Sequence, residues 1–137
     1  QSIIKNKDNV YFLKTDVTIK DGIVPEAIPL KFDSKSFDKV GEENNQYFKD
    51  KNGIYYFDYH NLTDVSVENV NSFFYKIEGA DISTFKGLDY GYSKDKNKLY
   101  CKNKELKGVD VKSFEVISTN DGVIVKDKNR NYEVDCE

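Results

Sequence analysis

The chain has 137 residues with 24 acidic and 21 basic side chains, which give a formal net charge of −3 and are interspersed along the sequence. A nucleic-acid-binding protein usually carries a basic surface, so this charge pattern argues against nucleic acid as a partner. No apolar run is long enough to span a bilayer, and the length is that of one domain able to bury a core.

Residues from about 1 to 30 form a divergent first unit. The run Val10 to Leu13 predicts a strand, because Val, Tyr and Phe suit a pleated, half-buried surface. The two prolines of the chain, Pro25 and Pro29, cannot donate to a sheet ladder. Their segment is therefore predicted to be irregular or an edge strand.

From Lys31 onward a block of the form Asp-x-x-Ser/Thr-Phe recurs, which we call the cap. Its Asp can accept hydrogen bonds from the backbone N–H groups two or three residues on, which predicts a single helical or 3₁₀ turn. The Phe then returns the chain to the core. The three caps are Asp33–Phe37, Asp81–Phe85 and Asp110–Phe114.

Each cap is followed by the tetrapeptide Lys-Asp-Lys-Asn, which we call the tip. Asp and Asn favour tight turns, and the strand-forming runs around each tip predict a β-hairpin. The tips begin at Lys49, Lys94 and Lys126, and Asn6–Asn9 resembles a decayed fourth copy. The interval is 45 residues from 49 to 94 and 32 residues from 94 to 126. We attribute the difference to an insertion around His60 to Tyr75, in which we expect a degenerate repeat.

The tips and caps resemble the bacterial DKNYY family, whose repeats carry Asp-Lys-Asn followed by tyrosines, with a Gly-Ala-Asp-x-x-Thr-Phe-like block between them. The residues that carry the resemblance are Asp50-Lys51-Asn52 with Tyr55-Tyr56, Asp95-Lys96-Asn97 with Tyr100, and Gly79 to Phe85. Asn131 departs from the pattern, which has an aliphatic residue at that place. The resemblance implies a bacterial repeat protein of uncharacterised function and supplies no catalytic residues.

These signals predict a mainly-β fold of tandem β-hairpins joined by short capped helical turns, arranged as a meander or a solenoid-like array. Residues 1–137 are predicted to form a single repeat-containing domain, with the divergent unit at about 1–30 and regular units at about 31–137.

The residue types that carry chemistry are scarce. The single histidine, His60, has no nucleophile positioned beside it, and two distant cysteines with one histidine cannot form a tetrahedral zinc site. Asp50, Asn52 and Gly53 resemble a fragment of a calcium loop, but the closing Glu is missing and the flanking lysines oppose a divalent cation. We therefore expect no catalytic residues, no metal and no cofactor.

The chain contains two cysteines, which is the number that one disulfide requires. Cys101 lies in the strand that leaves one tip, and Cys136 lies just beyond the strand that leaves the next. If successive units pack side by side, a disulfide between them would join the last unit to its predecessor. The alternative is two free thiols. A disulfide fits an exported protein, whereas free thiols fit a reducing cytosol.

The residues Tyr55, Tyr56, Phe57 and Tyr59 form an aromatic cluster. Strand alternation sends Tyr55 and Phe57 to one face of a sheet and Tyr56 to the other. One face must be core, and the other is either ordinary surface or a patch for a protein or a sugar, because Tyr is favoured at interfaces.

The chain contains no Met, even at position 1, which favours a form from which a signal peptide or lipoprotein leader has been removed before Gln1. We expect a non-catalytic interaction module of the bacterial cell envelope, or a secreted one, with an unknown protein or glycan as its partner. Membrane attachment is expected only through a lipid anchor upstream of Gln1. The alternative is a cytosolic immunity or inhibitor protein that neutralises a toxin by surface binding, with neither a leader nor a disulfide.

Overall fold

The computed structural model describes residues 3–14, 18–19, 22–23, 25–41, 46–133 and 136. Strands dominate, and helical structure in these residues is confined to two short 3₁₀ turns, Tyr59–Asn61 and Val70–Phe73. The prediction of a mainly-β fold is confirmed. Within the same ranges, no helix has the length and apolar character needed to cross a membrane.

The described strands form four small antiparallel sheets, which we call units 1 to 4 in chain order, and one additional two-stranded hairpin. Unit 1 contains β1 (Ile3–Lys5), β2 (Val10–Lys14) and β5 (Glu26–Leu30), and the short hairpin of β3 (Thr18–Ile19) and β4 (Gly22–Ile23) separates β2 from β5. Unit 2 contains β6 (Asp38–Lys39), β7 (Tyr47–Asp50), β8 (Gly53–Phe57) and β9 (Phe74–Lys76). Unit 3 contains β10 (Lys86–Gly87), β11 (Tyr92–Lys94), β12 (Leu99–Cys101) and β13 (Lys104–Leu106). Unit 4 contains β14 (Glu115–Thr119), β15 (Gly122–Lys126) and β16 (Asn131–Tyr132).

Units 2, 3 and 4 are local meanders, because their strands pair in chain order, whereas in unit 1 β2 pairs with β5 across the β3–β4 hairpin. The predicted tips close hairpins, since Asp50 pairs with Gly53, and Lys94 pairs with Leu99. The strand β5, which contains Pro29, lies at the edge of its sheet, as the missing N–H donor of that residue requires.

Side-chain clusters between successive units hold the array together, and we call each of these contacts a seam. Every seam contains the Phe of one cap. Phe37 stacks on Phe48 at a centroid distance of 5.5 Å in seam 1, between units 1 and 2. Phe85 meets Tyr47 at 5.4 Å in seam 2, and Phe114 meets Tyr92 at 5.6 Å in seam 3.

The inner sheets are therefore buried on both faces. In β8, Ile54 and Tyr56 enter seam 2, whereas Phe57, from the opposite face, enters seam 1. Stacking of this kind is typical of repeat proteins, in which each unit packs on its neighbours to build a continuous core.

The insertion between residues 58 and 73 lies inside one hairpin, between β8 and β9. The corresponding hairpin of unit 3 is closed by two residues, Lys102 and Asn103, because Cys101 pairs directly with Lys104. The insertion carries two 3₁₀ turns and contributes Val65 and Val70 to the cluster of seam 1. The expectation of a degenerate repeat in this region is wrong. The segment is an extended loop, and the hairpin that it interrupts is intact.

Candidate functional site

The tip aspartates, Asp50, Asp95 and Asp127, are buried acceptors that join each tip to its cap. The Oδ1 atom of Asp95 accepts hydrogen bonds from the backbone N–H groups of Asn97 and Lys98, both at 2.8 Å. Its Oδ2 atom accepts from the N–H of Asp81 and from the hydroxyl of Tyr100, both at 2.9 Å. One carboxylate therefore closes the tight turn and positions the cap.

The other tips repeat this arrangement. The carboxylate of Asp50 accepts from the N–H groups of Asn52 and Asp33, and that of Asp127 accepts from Asp110, Asn129, Arg130 and the hydroxyl of Tyr132. At the start of the chain, the side-chain oxygen of Asn6 accepts from Asp8 at 2.9 Å and from Asn9 at 2.8 Å. The turn at Asn6 thus has the geometry of a tip, with an amide in place of the carboxylate.

The cap hydroxyls complete the connection. Thr84 donates to the carboxylate of Asp81 at 2.7 Å and accepts the N–H of Lys96 at 3.0 Å. Ser36 and Ser113 make the same pair of contacts, with Lys51 and Lys128 as the N–H donors. The Ser/Thr of the cap motif is therefore required by the tip, a role that motif spacing alone did not reveal.

These hydrogen bonds favour the charged carboxylates. The hydroxyl of Tyr132 and then the N–H of Asp110 lower the pKa of Asp127 far below its usual range. Burial opposes the charge on Asp95, yet its N–H and hydroxyl donors outweigh burial, and the pKa of Asp95 is lowered. Burial and the bond to Asp95 raise the pKa of the Tyr100 hydroxyl, so Tyr100 remains a donor.

Lysine side chains cross two of the seams. The ammonium group of Lys5 in unit 1 donates to the carbonyls of Ser34 at 3.3 Å and Phe37 at 2.6 Å. Lys94 in unit 3 donates to the carbonyls of Val111 at 3.1 Å and Phe114 at 3.2 Å, which hold the same positions in a later cap. Each ammonium binds carbonyls at the end of a cap turn, a role that sequence reasoning assigned to neither lysine.

A disulfide joins Cys101 of β12 to Cys136, whose Cα atoms lie 5.5 Å apart. Cys136 is buried in the cluster of seam 3 together with Leu99, Phe114 and Val125. The bond therefore joins the segment after β16 to β12 of unit 3, within seam 3.

A groove of about 360 Å³ opens at seam 3, beside this disulfide. We call it the Tyr90 groove, and its described lining consists of Tyr90, Tyr92, Val123, Val125, Tyr132, Glu133 and Cys136. Tyr90 and Val123 are 38% and 42% exposed, so two large side chains at the edge of a core cluster face solvent. The Tyr90 hydroxyl lies 3.3 Å from the hydroxyl of Ser118 in unit 4.

Tyr90 occupies a backbone conformation that suits other residues better. Its φ is +62° and that of Gly91 is +81°, as the two central residues of a type I′ turn require. Asn, Asp and Gly are preferred at the first of these positions, and a bulky residue there costs about 1 kcal/mol. An exposed aromatic at a strained position is the pattern expected where a side chain serves recognition more than stability.

The predicted aromatic cluster does not form one surface. Tyr56 and Phe57 are buried in opposite seams and cannot contact a partner, which corrects the expectation that one face of this strand is open. Tyr55 is half-buried and packs edge-on against Phe32 at 5.0 Å. Tyr59 is exposed and lies against the ring of His60, at 4.2 Å.

The two remaining candidates, His60 and Asp50, form hydrogen-bonding contacts within the protein. The Nε2 atom of His60 lies 3.3 Å from the amide nitrogen of Gln46. The carboxylate oxygens of Asp50, considered above for calcium, are directed at backbone N–H groups. In the part of the chain that the structure describes, no group of three or more His, Cys, Asp or Glu side chains could hold a metal ion.

Comparison with known proteins identifies one family. The model of the DKNYY family matches residues 3–135, which is nearly the whole chain. No curated protein and no solved structure matches the chain. The match spans all four units, so tips, caps and seams all lie within the matched region.

Proposed function

This chain belongs to the DKNYY family, and on that premise we propose that it is a non-catalytic interaction module, envelope-associated or secreted, that binds a protein or a glycan. The observation that carries the proposal is Tyr90, an exposed aromatic in a strained turn at the rim of a groove. Tyr is favoured at binding sites because it combines a large apolar surface with a polar hydroxyl and little conformational freedom.

The disulfide supports an envelope-associated or secreted location. Disulfides persist in oxidising environments such as the periplasm and the cell surface, and they are rare in the cytosol. Cys101 and Cys136 lie at bonding geometry within a packed seam. The residues described around the groove offer no nucleophile paired with a base, which suits binding more than turnover.

Binding to washed cell envelopes tests the proposal. Purified wild-type chain should bind them saturably, and Tyr90→Asn should bind at least about tenfold more weakly because it removes an aromatic anchor. Asn is preferred in the turn, so this variant should be as stable as the wild type or more stable, and loss of binding cannot be ascribed to unfolding. Tyr59→Asn is the matched control, because it removes an exposed tyrosine outside the groove.

Protease treatment of the envelopes identifies the class of partner. Binding that disappears after proteolysis indicates a protein, and binding that survives proteolysis but not glycan digestion indicates a glycan. Absence of binding, or equal binding by the Tyr90→Asn variant, would reject the groove as the recognition site. A hydrolytic activity that one substitution abolishes would reject the non-catalytic role.

The intact mass of the protein from its native cells tests the compartment. A gain of two hydrogens on reduction would show that the Cys101–Cys136 disulfide is present in the native cells and would support the envelope or secreted location. Two free thiols in the native protein would instead support the cytosolic inhibitor.

A further inference from the structure

Seam 3 contains a second hollow, of about 230 Å³, which we call the Arg130 cavity. It shares Tyr92, Val125 and Tyr132 with the Tyr90 groove but differs from it in its cationic rim. Its floor includes the buried side chains of Phe114 and Val125, and the exposed side chains of Lys107 and Arg130 line it. The full lining is Tyr92, Leu106, Lys107, Val109, Phe114, Val125, Arg130 and Tyr132.

The cavity has a cause in the sequence. Val125 stands two residues before Asp127, the place that Phe48 holds before Asp50. In seam 1, Phe48 stacks on the cap residue Phe37 with an interplanar angle of 5°. In seam 3 the cap residue Phe114 meets the much smaller Val125 instead, and a packed ring is replaced by space.

The rim of the cavity is cationic. The Arg130 guanidinium lies 4.7 Å from the centre of the Tyr132 ring and donates to the carbonyl of Gly108 at 3.4 Å. That bond uses one of the five N–H donors of a guanidinium. The neighbouring acid, Asp127, already accepts from three backbone N–H groups and the Tyr132 hydroxyl. These donors offset part of the charge of Asp127. Asp127 and the Tyr132 side chain also attract the Arg130 guanidinium, but its five N–H donors leave some for an external anion.

Size and charge together define a ligand class. An apolar cavity of about 150 Å³ accommodates a six-carbon ring, so a cavity of about 230 Å³ suits roughly eight or nine carbon atoms. Guanidinium and ammonium groups at an apolar opening favour a carboxylate at one end of the ligand. We propose that the Arg130 cavity binds the carboxylate form of a medium-length acyl chain, with the chain on Phe114 and Val125 and the carboxylate at Lys107 and Arg130.

Titration of the purified chain with octanoate, followed by NMR and calorimetry, tests this inference. Octanoate should bind at one site with a dissociation constant on the order of 0.1–1 mM. The neutral octanamide should bind about tenfold more weakly because it cannot form the charge-assisted contacts. The signals of Val109 and Leu106, which line this cavity and not the Tyr90 groove, should shift on binding.

Three variants and one control separate the contribution of the cationic rim from that of the apolar cavity. Lys107→Gln and Arg130→Gln should each weaken octanoate severalfold and leave octanamide unchanged. Lys112→Gln, which changes an exposed lysine outside the cavity, is the matched control and should bind octanoate normally. Val125→Phe restores the residue found in seam 1 and should abolish binding of both compounds. The Lys107 variant decides the question if the Val125 variant does not fold.

The inference is rejected if octanoate does not bind saturably up to about 10 mM, a limit set by the affinity expected for ten heavy atoms. It is also rejected if octanamide binds equally well, or if Lys107→Gln and Arg130→Gln combined have no effect. These outcomes are independent of the function proposed above, because Tyr90 does not line this cavity and Tyr90→Asn should still bind octanoate.

Discussion

Replacement of Asp95 by Asn would test whether the tip carboxylates hold the array together. The side chain of Asp95 is buried, and four donors converge on its two oxygens: three backbone N–H groups and the hydroxyl of Tyr100. An amide has one oxygen and one NH₂ group. Whichever way the introduced amide turns, at least one backbone N–H faces another donor. If the oxygen stays on the turn, the N–H of Asp81 is the group that loses its acceptor.

The expected cost follows from these contacts. Loss of a hydrogen bond to a charged acceptor costs about 1.5–3 kcal/mol, and an unsatisfied buried donor adds about 1–3 kcal/mol. Burial of a neutral amide is easier than burial of a carboxylate, which offsets part of this cost. We therefore expect Asp95→Asn to lower the free energy of unfolding by about 3 kcal/mol.

Urea denaturation at pH 7, followed by circular dichroism, measures this change, and amide hydrogen exchange locates it. Exchange at the N–H of Asp81 should accelerate in the variant. The matched control is Asn6→Asp, which exchanges the same two groups at an exposed turn where the single oxygen already serves both donors. That control should change stability by less than about 0.5 kcal/mol. A loss below about 0.5 kcal/mol for Asp95→Asn, with unchanged exchange at Asp81, would refute the role assigned to the carboxylate.

Of three further predictions, two concern the seams and one concerns the cap and tip aspartates. Lys94→Met should lower the free energy of unfolding by about 1–2 kcal/mol, because two cap carbonyls lose their ammonium donor. The control is Lys126→Met at the equivalent position of unit 4, where the lysine forms a 3.6 Å surface ion pair with Glu115. In the same urea assay, this control should cost less than about 0.5 kcal/mol. Replacing Cys101 and Cys136 together by Ala should destabilise the chain by about 3–4 kcal/mol, and a reducing agent should lower the melting temperature of the wild type but not of that variant. Hydrogen bonds lower the pKa of the cap aspartates and of two tip aspartates in the folded chain. As the pH falls, the unfolded chain therefore binds protons at a higher pH than the folded chain does, and stability should fall below about pH 4. An unfolding midpoint that stays constant from pH 5 to about pH 2.5 would contradict this.

Much of the local structure could be predicted because its causes lie close together in sequence. Asp33 accepts from Ser36 three residues on, and Asp81 accepts from Ser83 two residues on, as the cap motif indicates. The hairpins at the tips follow in the same way from turn residues between strand-forming runs. These elements need no information about distant parts of the chain.

The contacts between tip and cap could not be predicted from local rules. Asp95 and Asp81 are 14 residues apart, whereas Asp127 and Asp110 are 17 apart, so no fixed interval marks the pair. A usable signal did exist, because a tyrosine stands five residues after each tip aspartate and five after Asn6. Hydrogen bonds from Tyr100 and Tyr132 to their tip aspartates explain that spacing for two of the four.

The aromatic cluster shows a different limit of prediction from the sequence, namely which faces of a strand are buried. Alternation along β8 assigns residues to two faces correctly, but the rule that one face meets solvent holds only for a sheet at the end of a stack. Tyr56 and Phe57 belong to a sheet with neighbours on both sides, and both are core. One face of unit 4 carries Ile124, which is 39% exposed and stands at the position that Tyr47 and Tyr92 fill in buried seams. The same face carries Asn131, the departure from the family pattern, at the place of the buried Leu99 and Ile54.

The connection that follows the strand leaving the tip, namely β2 in unit 1, β8 in unit 2 and β12 in unit 3, has a length that the seams do not constrain. Two residues close it in unit 3, residues 58–73 fill it in unit 2, and in unit 1 it holds a small hairpin of its own. The tip and the cap are made elsewhere in the unit, so this position can accept new sequence while the frame keeps its register. The turn at Lys102 and Asn103 is therefore the place to graft a foreign peptide, and the chain could serve there as a display scaffold.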